Sequence, residues 1–153
     1  MATESNGDLT LQVLNVDKQA GITVDNNEFY QAVSEVIKAN PQMGAPNDFS
    51  LYPYSILENN EGEPAVLCFV INRLEKPIQK IIFDLTLGTK DGEYIFNDVA
   101  VDLREEYMGI LERDSVVPIL LNIEEKDVDL FYELDDENVL LKMENFTIDF
   151  VEI

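Results

Sequence analysis

The sequence has no histidine and no tryptophan, and Cys68 is its single cysteine among 153 residues. Without histidine, the chain lacks the commonest general base and the commonest metal ligand of proteins. We therefore do not expect a zinc enzyme or a hydrolase with a Ser-His-Asp triad. One cysteine cannot form an intrachain disulfide, which fits either a reducing compartment or a secreted domain that needs no such crosslink.

Basic residues are scarce as well. The chain has 10 lysines and arginines against 31 acidic residues, which gives a formal net charge of −21. A surface of this sign repels phosphate groups, so we expect no nucleic-acid partner and no attraction to anionic lipid. A basic protein partner, a bound cation, or acidity that serves only solubility all remain open.

Long apolar runs are absent, so the sequence predicts no membrane insertion. Residues 1–8 are polar and predict a disordered N-terminus without the basic and apolar regions of a signal peptide. We expect a cytoplasmic protein that is either free in the cytoplasm or bound at the periphery of a membrane. The alternative is a secreted protein whose signal has been removed.

Residues 9–48 predict an N-terminal arm made of one strand and one helix. Alternating apolar residues predict the strand at Leu9–Val16. The helix is predicted at Asp25–Ala39, with Asp25 as its cap and Glu28 completing a capping box. Its apolar stripe consists of Phe29, Val33, Val36 and Ile37.

Residues 49–153 predict a mostly-β domain. Apolar residues make up 46% of the chain and include eight Phe, enough for a substantial core. Pro53 favours an edge strand or a bulge, and Pro118 favours an edge strand or the start of a strand. Asp91-Gly92 favours a hairpin. About seven strands predict an antiparallel β-sandwich of the immunoglobulin or fibronectin type with one N-terminal α-helix. The strands are Phe49–Leu57, Ala65–Asn72, Ile78–Thr89, Tyr94–Leu103, Val116–Ile123, Val139–Met143 and Asn145–Ile153.

The acidic segment 124–138 is predicted to form either a short helical turn or an irregular connection that crosses the domain. The same segment contains the weak candidates for a metal site. Calcium favours clustered carboxylate oxygens, but the segment lacks the spacing and the glycine of an EF-hand loop. A solvated acidic loop is the simpler interpretation, and no cofactor is predicted. The candidate ligands are Asp127, Asp129, Asp135 and Asp136.

No residue is predicted to be catalytic. With 31 acidic residues some carboxylate pair will reach a glycosidase spacing by chance, and the sequence singles out none. Cys68 lies in the most apolar run, where a thiol is unreactive. Tyr52 and Tyr54 share a strand face and, with Tyr94 or Tyr107, form a candidate carbohydrate platform, although half-buried rim tyrosines are the commoner case.

Three segments carry a resemblance to a known family. They are Phe49-Ser50-Leu51-Tyr52-Pro53-Tyr54, then residues 66–78 with Asn72-Arg73-Leu74-Glu75-Lys76-Pro77, and then Met108-Gly109-Ile110 followed by Ser115 to Pro118. Together they resemble the SLAP domain, named for the accessory Sec system S-layer assembly protein of Gram-positive bacilli. The family typically places Trp after the last proline, where this chain has Ile119.

The resemblance implies a non-catalytic binding module in accessory secretion or in S-layer and cell-envelope assembly. Its partner would be a secretion component or a surface-layer precursor, bound along an exposed sheet edge. Phe49–Leu57 and Val116–Ile123 are the candidate edges, so Tyr52, Tyr54 and Pro118 are the candidate partner-binding residues. The prolines equally suit edges protected from pairing. The alternatives are an extracellular carbohydrate- or cell-wall-binding domain and a calcium-dependent structural domain.

Overall fold

The computed structural model describes residues 7–151, and within them the chain is mostly β, with 44% strand and 21% helix. Seven strands form two sheets. The strands are β1 (Thr10–Leu11), β2 (Phe49–Glu58), β3 (Pro64–Asn72), β4 (Ile78–Thr89), β5 (Tyr94–Leu103), β6 (Ser115–Asn122) and β7 (Val139–Phe150). The helices are α1 (Asn15–Gln19), α2 (Glu28–Ala39), α3 (Glu105–Met108) and α4 (Glu125–Glu133).

The two sheets pack face to face. The first has the strand order β1-β6-β3-β2 and the second β5-β4-β7. Neighbouring strands are antiparallel except β1 and β6, which run parallel. The main core lies between the sheets and includes Val66, Cys68 and Val70 of β3 and Phe83 and Leu85 of β4. The predicted β-sandwich is therefore confirmed at the level of two packed, mainly antiparallel sheets.

Strand β3 is buried along its whole length because both of its faces are covered. Alternate residues point to opposite faces of a strand. Leu67, Phe69 and Ile71 therefore form a second apolar cluster with Val33 and Ile37 of α2. The near-continuous apolar run of the sequence reflects this position, and α2 forms a third layer outside the first sheet.

The N-terminal arm differs from its prediction at two places. The strand predicted at Leu9–Val16 is only Thr10–Leu11, because the chain turns into α1 after Leu14, whose N–H donates to the Tyr30 hydroxyl (3.1 Å). Helix α2 begins at Glu28, and its cap is Asn27, whose side chain accepts from the Tyr30 N–H (3.0 Å). Asp25 as the cap was therefore wrong.

Other boundaries agree closely with the sequence patterns. Strand β5 spans the predicted residues, and the Asp91-Gly92 hairpin joins it to β4, with Gly92 at φ 98°. The acidic segment forms α4, which resolves the two readings in favour of a helix. The two last predicted strands are one strand, β7, with Asn145 at φ 57° between its halves. Among residues 7–151, no helix is both long and apolar enough to cross a bilayer.

Candidate interaction groove and the buried arginine

The candidate site is an opening between two unpaired sheet edges on one side of the sandwich. Strand β2 ends the first sheet and β7 ends the second. They approach each other where the Phe146 ring contacts Phe49 and Phe83, with centroids 6.2 and 5.4 Å apart. A groove of about 440 Å³ lies between residues of β2, β7 and α4. Its lining includes Tyr52, Tyr54, Leu87, Phe131, Tyr132, Leu134 and Leu141.

The inner face of β7 is apolar but incompletely covered. Its residues oppose the buried inner residues of β4, as Leu141 opposes Leu87 and Ile148 opposes Ile81. None of the inner residues is fully buried, and Leu141 and Phe146 are 37% and 44% exposed. The inner residues are Val139, Leu141, Met143, Phe146, Ile148 and Phe150.

The opposite edge of the same sheet is better covered. Strand β5 buries Phe96, Val101 and Leu103, all at 7% exposure or less, although Val99 is 42% exposed. Met108 of α3 joins these residues in the core. The β7 edge is therefore the side of the second sheet whose apolar inner face lacks a cover.

Tyr52 and Tyr54 lie together at this opening, as the sequence predicted for two residues of one strand face. They are 50% and 43% exposed, and the Tyr54 ring packs on Phe69 with centroids 5.2 Å apart. They also border a second groove with residues 39–43. Tyr94 lies in a different groove beside α4, and Tyr107 lies near α1, so the structure does not assemble the four tyrosines into one platform.

The other predicted edge residue, Pro118, is not part of this opening. It is buried in β6, opposite Phe69 of β3. The first residues of β6 are paired with β1, and Leu14, Tyr30 and Asn27 border its remaining free side. Strand β1 therefore covers only the start of the predicted edge Val116–Ile123, and Pro118 lines a separate groove beside Tyr30. Partner binding at Pro118 stays a prediction.

Strand β2 is an edge, but its hydrogen-bonding ladder is interrupted. Its register with β3 shifts between Pro53 and Ser55. Proline also supplies no N–H. The bulge and edge position predicted from Pro53 are confirmed. The free β7 edge was missed, because strand order is not visible in the sequence.

Two of the four acidic metal candidates, Asp127 and Asp135, accept hydrogen bonds from the backbone of their own segment. Asp127 accepts from the backbone N–H of Glu124, which completes a capping box of α4. Asp135 accepts from the backbone N–H groups of Glu137 and Asn138, both at 2.9 Å. Asp129 lies within α4, and Asp136 lines the groove. Within the described part of the chain, no group of three or more Cys, Asp or Glu side chains has the geometry of a metal site.

Arg73 is a buried residue whose importance the sequence did not reveal. Its side chain is 1% exposed and donates five hydrogen bonds, at 2.7 to 3.2 Å. Four bonds go to backbone carbonyls of Gly7, Pro41 and Met43, and one goes to the Asp114 carboxylate. Arg73 therefore joins the N-terminal segment and the 41–43 loop beside Tyr52 to the sandwich. An unusually buried arginine has no signature in a single sequence.

Burial raises the pKa of further titratable groups in the core, among them Cys68 and Tyr30. Burial raises the pKa of the Cys68 thiol to about 12, so little reactive thiolate forms near neutral pH. The Tyr30 hydroxyl donates to Asp17 (2.6 Å), and burial followed by this bond raises its pKa well above the usual value.

The chain matches no protein-family model, no curated protein and no solved structure.

Proposed function

We propose that this chain is a non-catalytic protein-interaction module whose binding site is the opening between β2 and β7. The observation that carries the proposal is the apolar inner face of β7, with Leu141 and Phe146 partly exposed, beside the half-exposed Tyr52 and Tyr54. Exposed apolar surface next to a free sheet edge is costly unless a partner covers it. The groove also has the size and apolar lining of an anchor pocket.

The strand order supports a finer description of the fold, which we also propose. The sheet neighbours β2, β3 and β6 correspond to strands A, B and E of an immunoglobulin-like sandwich, and β4 and β7 correspond to strands C and F. Strand β5 then lies on the other side of C. With this assignment, no strand among residues 7–151 occupies the G position. That position is the side of β7 that borders the groove.

The biological setting that we propose comes from the resemblance to SLAP domains. We infer a role in accessory secretion or in assembly of S-layer or other cell-envelope proteins. The groove supports only the binding part of this role, and the resemblance carries the setting.

Site-specific photocrosslinking in the native cell tests this function. A crosslinking amino acid replaces Leu141, and a matched control replaces Val99, which has similar exposure on the opposite edge. We expect Leu141 to capture a secretion component or a surface-layer precursor, and Val99 to capture none. A lack of any specific product at Leu141, or equal products at both positions, would argue against the module.

A second candidate is binding of carbohydrate or cell wall, favoured by the neighbouring exposed rings of Tyr52 and Tyr54. It predicts retention of the protein on purified cell wall. Tyr52→Ala and Tyr54→Ala should each reduce that retention, whereas Tyr94→Ala, in a separate groove, should not. Equal retention of all three variants would contradict this candidate.

A further inference from the structure

The β7 edge is the better hydrogen-bonding edge of the two that border the groove. Strand β7 pairs with β4 on one side, and among residues 7–151 no strand pairs with its other side. It contains no proline, whereas Pro53 and the register shift interrupt β2. Leu140–Glu144 lies before the irregularity at Asn145. This segment therefore offers an uninterrupted free edge for one short added strand.

The side chains around this edge define what such a strand must carry. A strand added beside β7 continues the second sheet, so every other side chain points toward the groove. Val139 and Leu141 of β7 line the groove, and Leu141 is 37% exposed. An occupant with apolar residues at alternate positions would cover them, and its intervening residues would face solvent.

The charge at the α4 end of the groove defines one end of the occupant. Asp135 and Asp136 line the groove, and the exposed Glu133 and Glu137 lie beside them in sequence. In the described part of the chain, none of these four forms an ion pair with Lys or Arg. The nearby Lys142 pairs with Glu144 on its own strand (3.4 Å). The unbalanced negative charge complements a cationic group.

We propose that the groove binds an extended segment of a partner protein that adds as a strand along Leu140–Glu144, with alternating apolar side chains and lysine or arginine at the α4 end. This inference rests on the proposed interaction function and names the chemistry of the partner. Strand β7 then provides the backbone pairing. Strand β2, whose hydrogen-bonding ladder is interrupted, provides side-chain contacts through Tyr52 and Tyr54.

Three synthetic peptides of about ten residues test the proposal against the full chain. The first alternates valine with threonine and has two lysines at one end. The second replaces the lysines with glutamate, and the third shuffles the first so that the alternation is lost. We expect the first to bind at least about ten-fold more tightly than the others and to slow amide hydrogen exchange in Leu140–Glu144. Equal binding of the shuffled peptide, or binding without slower exchange there, would overturn strand addition.

Matched variants separate the apolar and charged parts of the site. Leu141→Asp should abolish binding of the lysine peptide, and Val99→Asp on the opposite edge should not. Asp136→Asn should weaken binding about two- to five-fold, the effect of one exposed ion pair. Asp25→Asn, in the loop before α2, is its charge control. Equal affinity of Asp136→Asn and Asp25→Asn, or equal binding of the glutamate peptide, would overturn the cationic assignment.

Two further outcomes distinguish this inference from the proposed function. If crosslinking at Leu141 captures the expected partner but the lysine peptide does not bind, the chemistry proposed here is wrong and the interaction function stands. If neither experiment gives binding, both are wrong. Sedimentation that shows a dimer abolished by Leu141→Asp would assign the edge to a second copy of this chain and overturn the proposed occupant.

Discussion

Replacement of Arg73 by alanine tests the reasoning about the interior most directly. The guanidinium is 1% exposed, and the substitution removes five hydrogen bonds at once. The carbonyls of Gly7, Pro41 and Met43 and the Asp114 carboxylate lose this donor. Breaking a buried, hydrogen-bonded charge pair by removing one partner typically costs about 3–5 kcal/mol. That is a large part of the roughly 5–15 kcal/mol that stabilises most domains.

The assay is equilibrium unfolding in urea, monitored by far-ultraviolet circular dichroism. We expect Arg73→Ala to lower the free energy of unfolding by about 3–5 kcal/mol with an unchanged denaturant slope. Arg104→Ala is the control, because Arg104 pairs with Asp102 on the surface, and its midpoint should not move.

A local readout tests which contacts Arg73 supports. The N–H of Leu9 donates to the Pro41 carbonyl, and the N–H of Thr10 donates to the Asp114 carbonyl. Because Arg73 binds both of these acceptor residues, its loss should speed amide exchange at Leu9 and Thr10 beyond the global effect. A stability loss under about 1 kcal/mol would refute the reasoning that this buried pair requires both partners.

Three further predictions concern single groups. Burial raises the pKa of Cys68 from 9.0 to about 12. Because the unfolded state loses this proton first, the free energy of unfolding should fall as the pH rises from about 9 toward 12. In thermal unfolding, Cys68→Ala should make this fall less steep. Asn27→Ala should cost about 1 kcal/mol in urea unfolding through loss of the α2 cap, and Asp25→Ala should cost much less. Tyr30→Phe should cost about 1–2 kcal/mol, because it removes the hydroxyl between Asp17 and Leu14; an unchanged midpoint would contradict this.

Local patterns in the sequence predicted most of the strands, because alternation and turn residues act over a few positions. Asp91-Gly92 predicted its hairpin, and the apolar run 65–72 predicted a strand buried on both faces. The helix cap was wrong because Asp25 and Asn27 are both good caps by residue type. Only the position of Tyr30, which is bonded to Asn27 and Leu14, distinguishes them.

The candidate site was partly predictable. Tyr52 and Tyr54 were singled out, and they do lie at the groove. Pro118 was singled out by the same proline argument, but it is buried, because β1 and the segment around Leu14 and Tyr30 border that side of β6. A proline indicates that one backbone donor is missing, and it does not indicate whether the strand has a neighbour.

The sequence by itself determined the mostly-β character, the strong acidity and the absence of histidine chemistry, since these depend on composition and on short-range pattern. Only the tertiary structure decided that β7 is an edge strand, which apolar faces lack a cover, and that Arg73 is buried. Those features depend on contacts between residues far apart in the chain, such as Phe49 with Phe146 and Arg73 with Asp114. Strand order and long-range packing are set by the joint burial of all elements, which no local pattern encodes.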